Sequence, residues 1–363
     1  MKSAILFTVA TSLLFYGCSL KKFDNSIPGY NSVFMKEKPN ITLEGIPIGP
    51  SDYFRDPDGI AVIQDTILLV TDGKTEDAIH FVNIRTQELI KTYGKIGEGP
   101  GELATHVVPM YLESQSNVIE LLEPAKKRLA TYSIDSLLNG SDSYFPSFAV
   151  GPPEIGSPLG MTRIDEENFV INANFPCSRL LKWNSSSDQL DCSPGVIPLD
   201  DIDLGQKSNL TYEVMAVRPD QKLIATAMYK YNRIDIYNLE LQHQFAIVGD
   251  QNSNPFDYCK IINGKTNCEY QKMEKFSSAA IYASQDHIYV SRLVPLSRNP
   301  QNIYDHEVVL LVFDWEGNSV GRMSLGRFVF SFTVDEKNKK LYAIDDQLTK
   351  QMIIEYNLPD FKA

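Results

Sequence analysis

The chain has 363 residues, 43% hydrophobic and 22% charged, with a formal net charge of −12. Such a composition excludes a disordered chain and leaves room for a sizeable core. The excess of 46 acidic over 34 basic residues argues against a nucleic-acid binder, and beyond the N-terminus no stretch approaches the ~18 apolar residues of a membrane span.

The N-terminus reads as an address. Met1-Lys2 is basic, Ser3 to Tyr16 is mostly apolar, and the run ends at Phe15-Tyr16-Gly17-Cys18. So short an apolar run is a signal-peptide core rather than a span. A small residue directly before Cys resembles the bacterial lipobox, although Phe15 and Tyr16 are bulkier than usual there. Residues 1–17 are then the signal peptide and Cys18 the lipidated residue, with each buried CH₂ of an acyl chain stabilising membrane attachment by about 0.8 kcal/mol. Neither an Asp nor an acidic cluster follows Cys18. The expected address is therefore an outer membrane, facing the periplasm. Residues 18–39, with Pro28, Gly29 and Pro39, read as a lipidated tether.

Residues 40–363 repeat. One strand pattern recurs with its first apolar residue at Ile67, Val118, Phe169, Leu223, Ile288 and Leu341, at spacings of 51, 51, 54, 65 and 53. A second strand pattern follows each, such as Ile79–Ile84 or Val308–Phe313, and a further strand precedes each, such as Ile60–Ile63. Four short strands per ~50 residues make a propeller blade, and six units make an all-β, six-bladed propeller of four-stranded antiparallel blades. The sixth unit has room for only three strands. The orphan strand Ile41–Ile48 is expected to supply the fourth and close the ring, which removes sheet edges.

The long spacing of 65 contains an inserted hairpin at about 250–275. Cys259 and Cys268 are equidistant from Asn263-Gly264, a strong hairpin-turn signal. They are expected to form one disulfide, and Cys177 with Cys192 a second by elimination, as suits an oxidising compartment.

Tyr93-Gly94-Lys95-Ile96-Gly97-Glu98-Gly99-Pro100-Gly101-Glu102-Leu103, taken with Asp56-Pro57-Asp58-Gly59-Ile60-Ala61-Val62, resembles the NHL-type repeat and the TolB-like six-bladed propeller lipoproteins of Bacteroidetes. The resemblance implies a six-bladed propeller and an envelope lipoprotein, and leaves activity open. The Gly-rich stretch is not a phosphate cradle, because no helix follows it. It reads as a tight inter-blade turn.

No Ser nucleophile elbow, HExxH or EF-hand loop is present. His80, His243, His287 and His306 fall in or beside outer strands, where packing is the expected role. His106 falls where an innermost strand begins. Ligand sites are concave pockets with a few converging polar groups. The expected channel-mouth ligand site is Arg55, Asp56, Asp58, His106, Glu213 and Arg327, able to take an anion or a divalent cation. The competing reading is solvated loops holding inter-blade salt bridges. No cofactor is called for. Ca or Zn would have only Asp56, Asp58 and Glu213 as oxygen ligands, few for a hard ion. Three functions follow: a non-enzymatic binding or scaffold propeller; a metal-dependent hydrolase or lyase with its site on the axis; and a carbohydrate or peptide sensor using Phe54, Tyr53 or Tyr212. The expected partners are the membrane, through the anchor, and an envelope protein or small-molecule ligand, with no nucleic acid.

Overall fold

Short runs of Ile, Val, Tyr and Phe cannot each bury their two faces alone, so they pair with their sequence neighbours and the resulting sheets stack. The computed structural model describes residues 32–36, 38–99, 101–112, 117–140, 146–173, 175, 180–193, 212–220, 222–229, 232–249, 259–262, 265–268, 280–297, 302–345, 347–348 and 350–361. They form six blades of four antiparallel strands in a ring. The innermost strands are Pro57–Ile63, Val108–Leu112, Gly160–Arg163, Glu213–Val217, Ile281–Ala283 and Ser331–Asp335, in blades 1 to 6. Each touches the next around the ring, and that of blade 6 touches that of blade 1.

The hydrophobic core is divided among the blade interfaces. Leu69 and Ile63 of blade 1 pack with Leu121 and Ile119 of blade 2. Ile234 of blade 4 packs with Val290 of blade 5, and Leu310 of blade 5 with Val334 of blade 6. The second strand of each blade therefore has neighbours on both faces. In blade 1 all six residues of Ile67–Asp72 are buried, and the first four, Ile67 to Val70, are an apolar run rather than an alternation, as strands covered on both sides are.

Ring closure is shared between the two ends of the chain. Gly45–Ile48 pairs antiparallel with Ile353–Asn357 and becomes the outermost strand of blade 6. The orphan strand is shorter than its sequence suggested: Ile41–Thr42 instead pairs in parallel with the edge of blade 5. Ser32–Phe34, within the segment read as tether, pairs in parallel with the edge of blade 4. The chain thus ties down blades 4, 5 and 6 in succession, because each outer edge offers unpaired amides and carbonyls that an extended segment can satisfy.

Two further features bear on the sequence reading. A short helix, Ile134–Asn139, which the strand patterns did not predict, lies between the third and outermost strands of blade 2. Its cap is Ser133, whose side chain accepts from the Ser136 amide. The inserted hairpin pairs Cys259–Ile262 with Lys265–Cys268 and puts Cys259 opposite Cys268. Cys192 is disulfide-bonded, while Cys18 and Cys177 lie outside the described residues.

The Gly-rich segment is an inter-blade turn. Gly94 has φ +81, a conformation glycine adopts without strain, and a Cβ there would meet Leu103 Cδ1 at 2.5 Å. Blade 2 fastens the turn: Lys126 Nζ donates to the carbonyls of Gly97 and Glu102, and Arg128 Nη2 donates to that of Glu102.

Candidate functional site

The innermost strands enclose a cavity of about 580 Å³ along the propeller axis. It runs the length of the channel, since Tyr212 before the innermost strand of blade 4 and Pro219 after it both line the wall. Most of that wall is apolar, including Ile60, Met110, Val214, Met215, Ile281 and Phe332.

Local backbone irregularity aims two side chains inward. In blade 1, Pro57 faces Asp72 and Gly59 faces Thr71, so Asp58 has no ladder partner. In blade 2, Pro109 faces Leu121 and Tyr111 faces Glu120, so Met110 has none. These are bulges, which re-aim side chains, and both place the odd residue on the channel wall. The prolines are tolerated because an innermost strand has one open edge.

Asp58 meets His106, whose Nδ1 lies 3.2 Å from Asp58 Oδ1. His106 belongs to the linker leading into blade 2. The hydrogen bond to Asp58 raises its pKa, partial burial opposes this, and the charges of Asp58 and Asp56 add to the rise. Behind it, a Cβ at Gly73 would stand 1.9 Å from the carbonyl oxygen of Thr105. Glycine at that position lets the linker lie close enough for the pair to form.

The other residues expected at the mouth are held apart from this pair. Arg55 and Asp56 form a turn whose amides donate to the buried carboxylate of Asp72, at 2.7 and 3.1 Å to its Oδ2. The Asp56 side chain points to solvent and pairs with Lys74 at 2.9 Å. Glu213 is buried and accepts from Asn172 Nδ2 at 3.2 Å, joining blade 4 to blade 3. Arg327 Nη1 lies 3.2 Å from Asp345 Oδ2. Of the six, only Asp58 and His106 line the cavity. Among the described residues no three of His, Cys, Asp and Glu are grouped as metal ligands. The expected cluster fails because the acidic residues at the strand ends have a local task. Asp72 and Glu123 end the second strand of their blades and Asp345 directly follows that of blade 6, and each holds the linker entering its blade, Glu123 through the Ala104 amide at 2.8 Å.

The aromatic rim also differs from expectation. Tyr53 and Phe54 pack edge-on against His80 of blade 1, with ring centroids 5.4 and 5.6 Å away, within the apolar cluster between blades 6 and 1, and neither lines the channel. Tyr212 does, with Tyr229 edge-on at 5.4 Å. Phe328 and Phe330, in the linker entering blade 6, line it as well, and Phe330 is 47% exposed. Tyr304 stands against Phe328 at 5.6 Å and is 44% exposed. The signal missed was positional: Tyr229 follows a second strand, and such residues return to the mouth beside the start of the innermost one.

Across the described wall the titratable groups are Asp58, His106 and three tyrosines, Tyr212, Tyr229 and Tyr282. Burial, with the Glu336 and Asp335 charges, pushes the Tyr282 phenol well above its ordinary range and keeps it neutral. The wall offers apolar contact, aromatic faces and one carboxylate shared with an imidazole.

No family model matches the chain, and neither does any curated protein. Solved structures do. A member of the DUF4221 family from Bacteroides vulgatus superposes with a TM-score of 0.56 at 11% identity, covering 89% of this chain and 97% of that one. A Bacteroides fragilis protein described as exported superposes with a TM-score of 0.56 at 12% identity, over 91% of this chain and 99% of that one. At such identities the likeness is one of fold: the chain is a six-bladed β-propeller whose architecture recurs in Bacteroides proteins.

Proposed function

We propose that this is an exported propeller, lipid-anchored through Cys18 at the periplasmic face of an outer membrane, that binds a small organic ligand in its central channel without transforming it. The observation that carries the binding reading is the channel itself. A cavity of about 580 Å³ with an apolar wall, an aromatic rim and one polar pair falls within the ~300–1,000 Å³ of ordinary ligand sites. The lipobox-like Gly17-Cys18 supports the anchor, and the likeness in fold to a Bacteroides fragilis protein described as exported supports export. Kinship with the TolB-like and NHL-like propellers rests on the Gly-rich segment. The hydrolase or lyase reading is less well supported, since Asp56, Asp58 and Glu213 are engaged by Lys74, His106 and Asn172.

The test is capture of small molecules. Purified protein is dialysed against a periplasmic metabolite extract, and the bound fraction is read by mass spectrometry beside an Ala216→Trp variant, whose indole fills the channel. A compound retained by the wild type and lost from the variant supports the reading. Equal retention by both, or none by either, overturns it. The mass of the mature N-terminus tests the anchor: an acylated Cys18 is expected, and an unmodified N-terminus overturns that part alone.

A further inference from the structure

The charges around the channel are distributed unevenly. The described wall contains no Lys or Arg. The nearby cations are held elsewhere: Lys74 by Asp56 and Arg327 by Asp345. Among the described wall residues His106 alone can carry positive charge, and it is already bound to Asp58. The described wall is therefore neutral when His106 is protonated and negative when it is not. On the described wall an anion meets no uncompensated positive charge, and the net charge of −12 repels it at long range.

A cation meets the opposite situation. The Asp58 side chain is 18% exposed, set in an apolar surround where an ion pair gains more than in water. Phe330 projects from blade 6, which neighbours blade 1. Tyr212 and Tyr229 belong to blade 4, opposite blade 1 in a ring of six. Aromatic faces attract ammonium groups within about 6 Å of the ring and otherwise take apolar surface.

We propose that the ligand of this channel is an organic cation, a primary or substituted amine on an apolar or aromatic body, its ammonium on Asp58 and its body against the aromatic rim and Met215. This rests on the channel being a binding site, and it adds the class of ligand.

Three isosteric probes test it by calorimetry at pH 7.5: 4-phenylbutylamine, 4-phenylbutan-1-ol and 4-phenylbutanoate. The amine is expected to bind at least about tenfold more tightly than the alcohol, and the carboxylate more weakly than either, as one favourable charge contact in a desolvated site implies. Asp58→Asn is expected to lower amine affinity about tenfold. His106→Ala, which removes the competitor for Asp58, is expected to raise it, and provides a second measurement should Asp58→Asn unfold. Equal binding of amine and alcohol overturns the cation proposal and leaves the channel reading standing. Tighter binding of the carboxylate also overturns it. No binding by any of the three overturns the cation proposal, while the channel reading stands or falls with the retention experiment.

Discussion

His287 Nδ1 lies 2.6 Å from Glu336 Oε1, joining blade 5 to blade 6. Tyr289 donates to the same oxygen at 2.6 Å. The hydrogen bond to Glu336 raises the His287 pKa against the effect of partial burial, and the charges of Asp286 and Asp314 add to the rise. Burial pushes the Glu336 carboxyl up, but bonds from His287, Tyr289 and Ser284 outweigh it and hold the carboxyl below its ordinary value. The raised histidine contributes stability that is complete below about pH 6.5 and fades as pH rises through its folded value. The depressed glutamate contributes stability that is complete above about pH 4.5 and fades as pH falls. The pair is worth most between these limits. Glu336→Gln is expected to cost only about 1 kcal/mol near pH 5.5, because solvent screens the exposed side of the pair, and less at pH 8.5, where His287 has lost its proton. Urea denaturation at both pH values checks this; a loss that is equal at both contradicts it.

A second polar group is fully enclosed. In blade 4, Arg233 donates through Nε and Nη2 to Asp235, and His243 Nε2 lies 2.7 Å from Asp235 Oδ1. Burial alone would push the Asp235 carboxyl up, and Arg233 and His243 more than offset it. Removing the negative charge takes from the buried guanidinium the carboxylate that accepts from its Nε and Nη2. Asp235→Asn is expected to destabilise the protein by about 3–5 kcal/mol, measured by denaturant unfolding. A loss under about 1 kcal/mol would show that water reaches Arg233.

Gly73 links stability to the site. A Cβ there meets a backbone oxygen, that of Thr105, at 1.9 Å, so the linker bearing His106 must move. Gly73→Ala is expected to cost about 1–3 kcal/mol, as overpacking does, and to separate His106 from Asp58. The His106 imidazole resonance followed through a pH titration should then move toward the ordinary range. An unchanged titration would place the displacement elsewhere.

Closure is separable from reinforcement. Ile48 of the closing strand is buried with Phe54, Ile60 and Ile353 between blades 6 and 1. Ile48→Ala is expected to lower stability by about 2–4 kcal/mol. Deleting residues 32–44 removes the strands added to blades 4 and 5 but keeps Gly45–Ile48, and should leave a monomer of reduced Tm. Deleting residues 32–48 exposes the edge of Ile353–Asn357 and should cause self-association through that edge. Gel filtration of the two truncations distinguishes these outcomes; a monomeric longer truncation contradicts the role given to the closing strand.

Much of the fold was legible because the signals are local. Ile67, Val118 and Leu341 each open a second strand at a spacing set by one blade, and a strand followed by a tight turn pairs with the next strand wherever it lies. The register of the hairpin around Asn263-Gly264 was legible for the same reason. The site was less so. Arg55, Glu213 and Arg327 occupy equivalent positions in their blades, and equivalence predicted that they would converge. The second-strand carboxylates and the neighbouring blades bind them first. Tyr53 and Phe54, which flank the mouth in sequence, turn into the blade 6–blade 1 interface instead.

By itself, the sequence determined the number of blades, the order of the strands and the three-stranded last blade that needs a partner, because hydrophobic periodicity and turn chemistry act over a few residues. Only the tertiary structure decided which side chains face the axis. One-residue bulges bring in Asp58 and Met110 and leave Asp56 outside, and a bulge shows only in the pairing of two strands. Ring closure then places Phe330 of the last blade on the same channel wall as Asp58 of the first, a relation across most of the chain that no local pattern encodes.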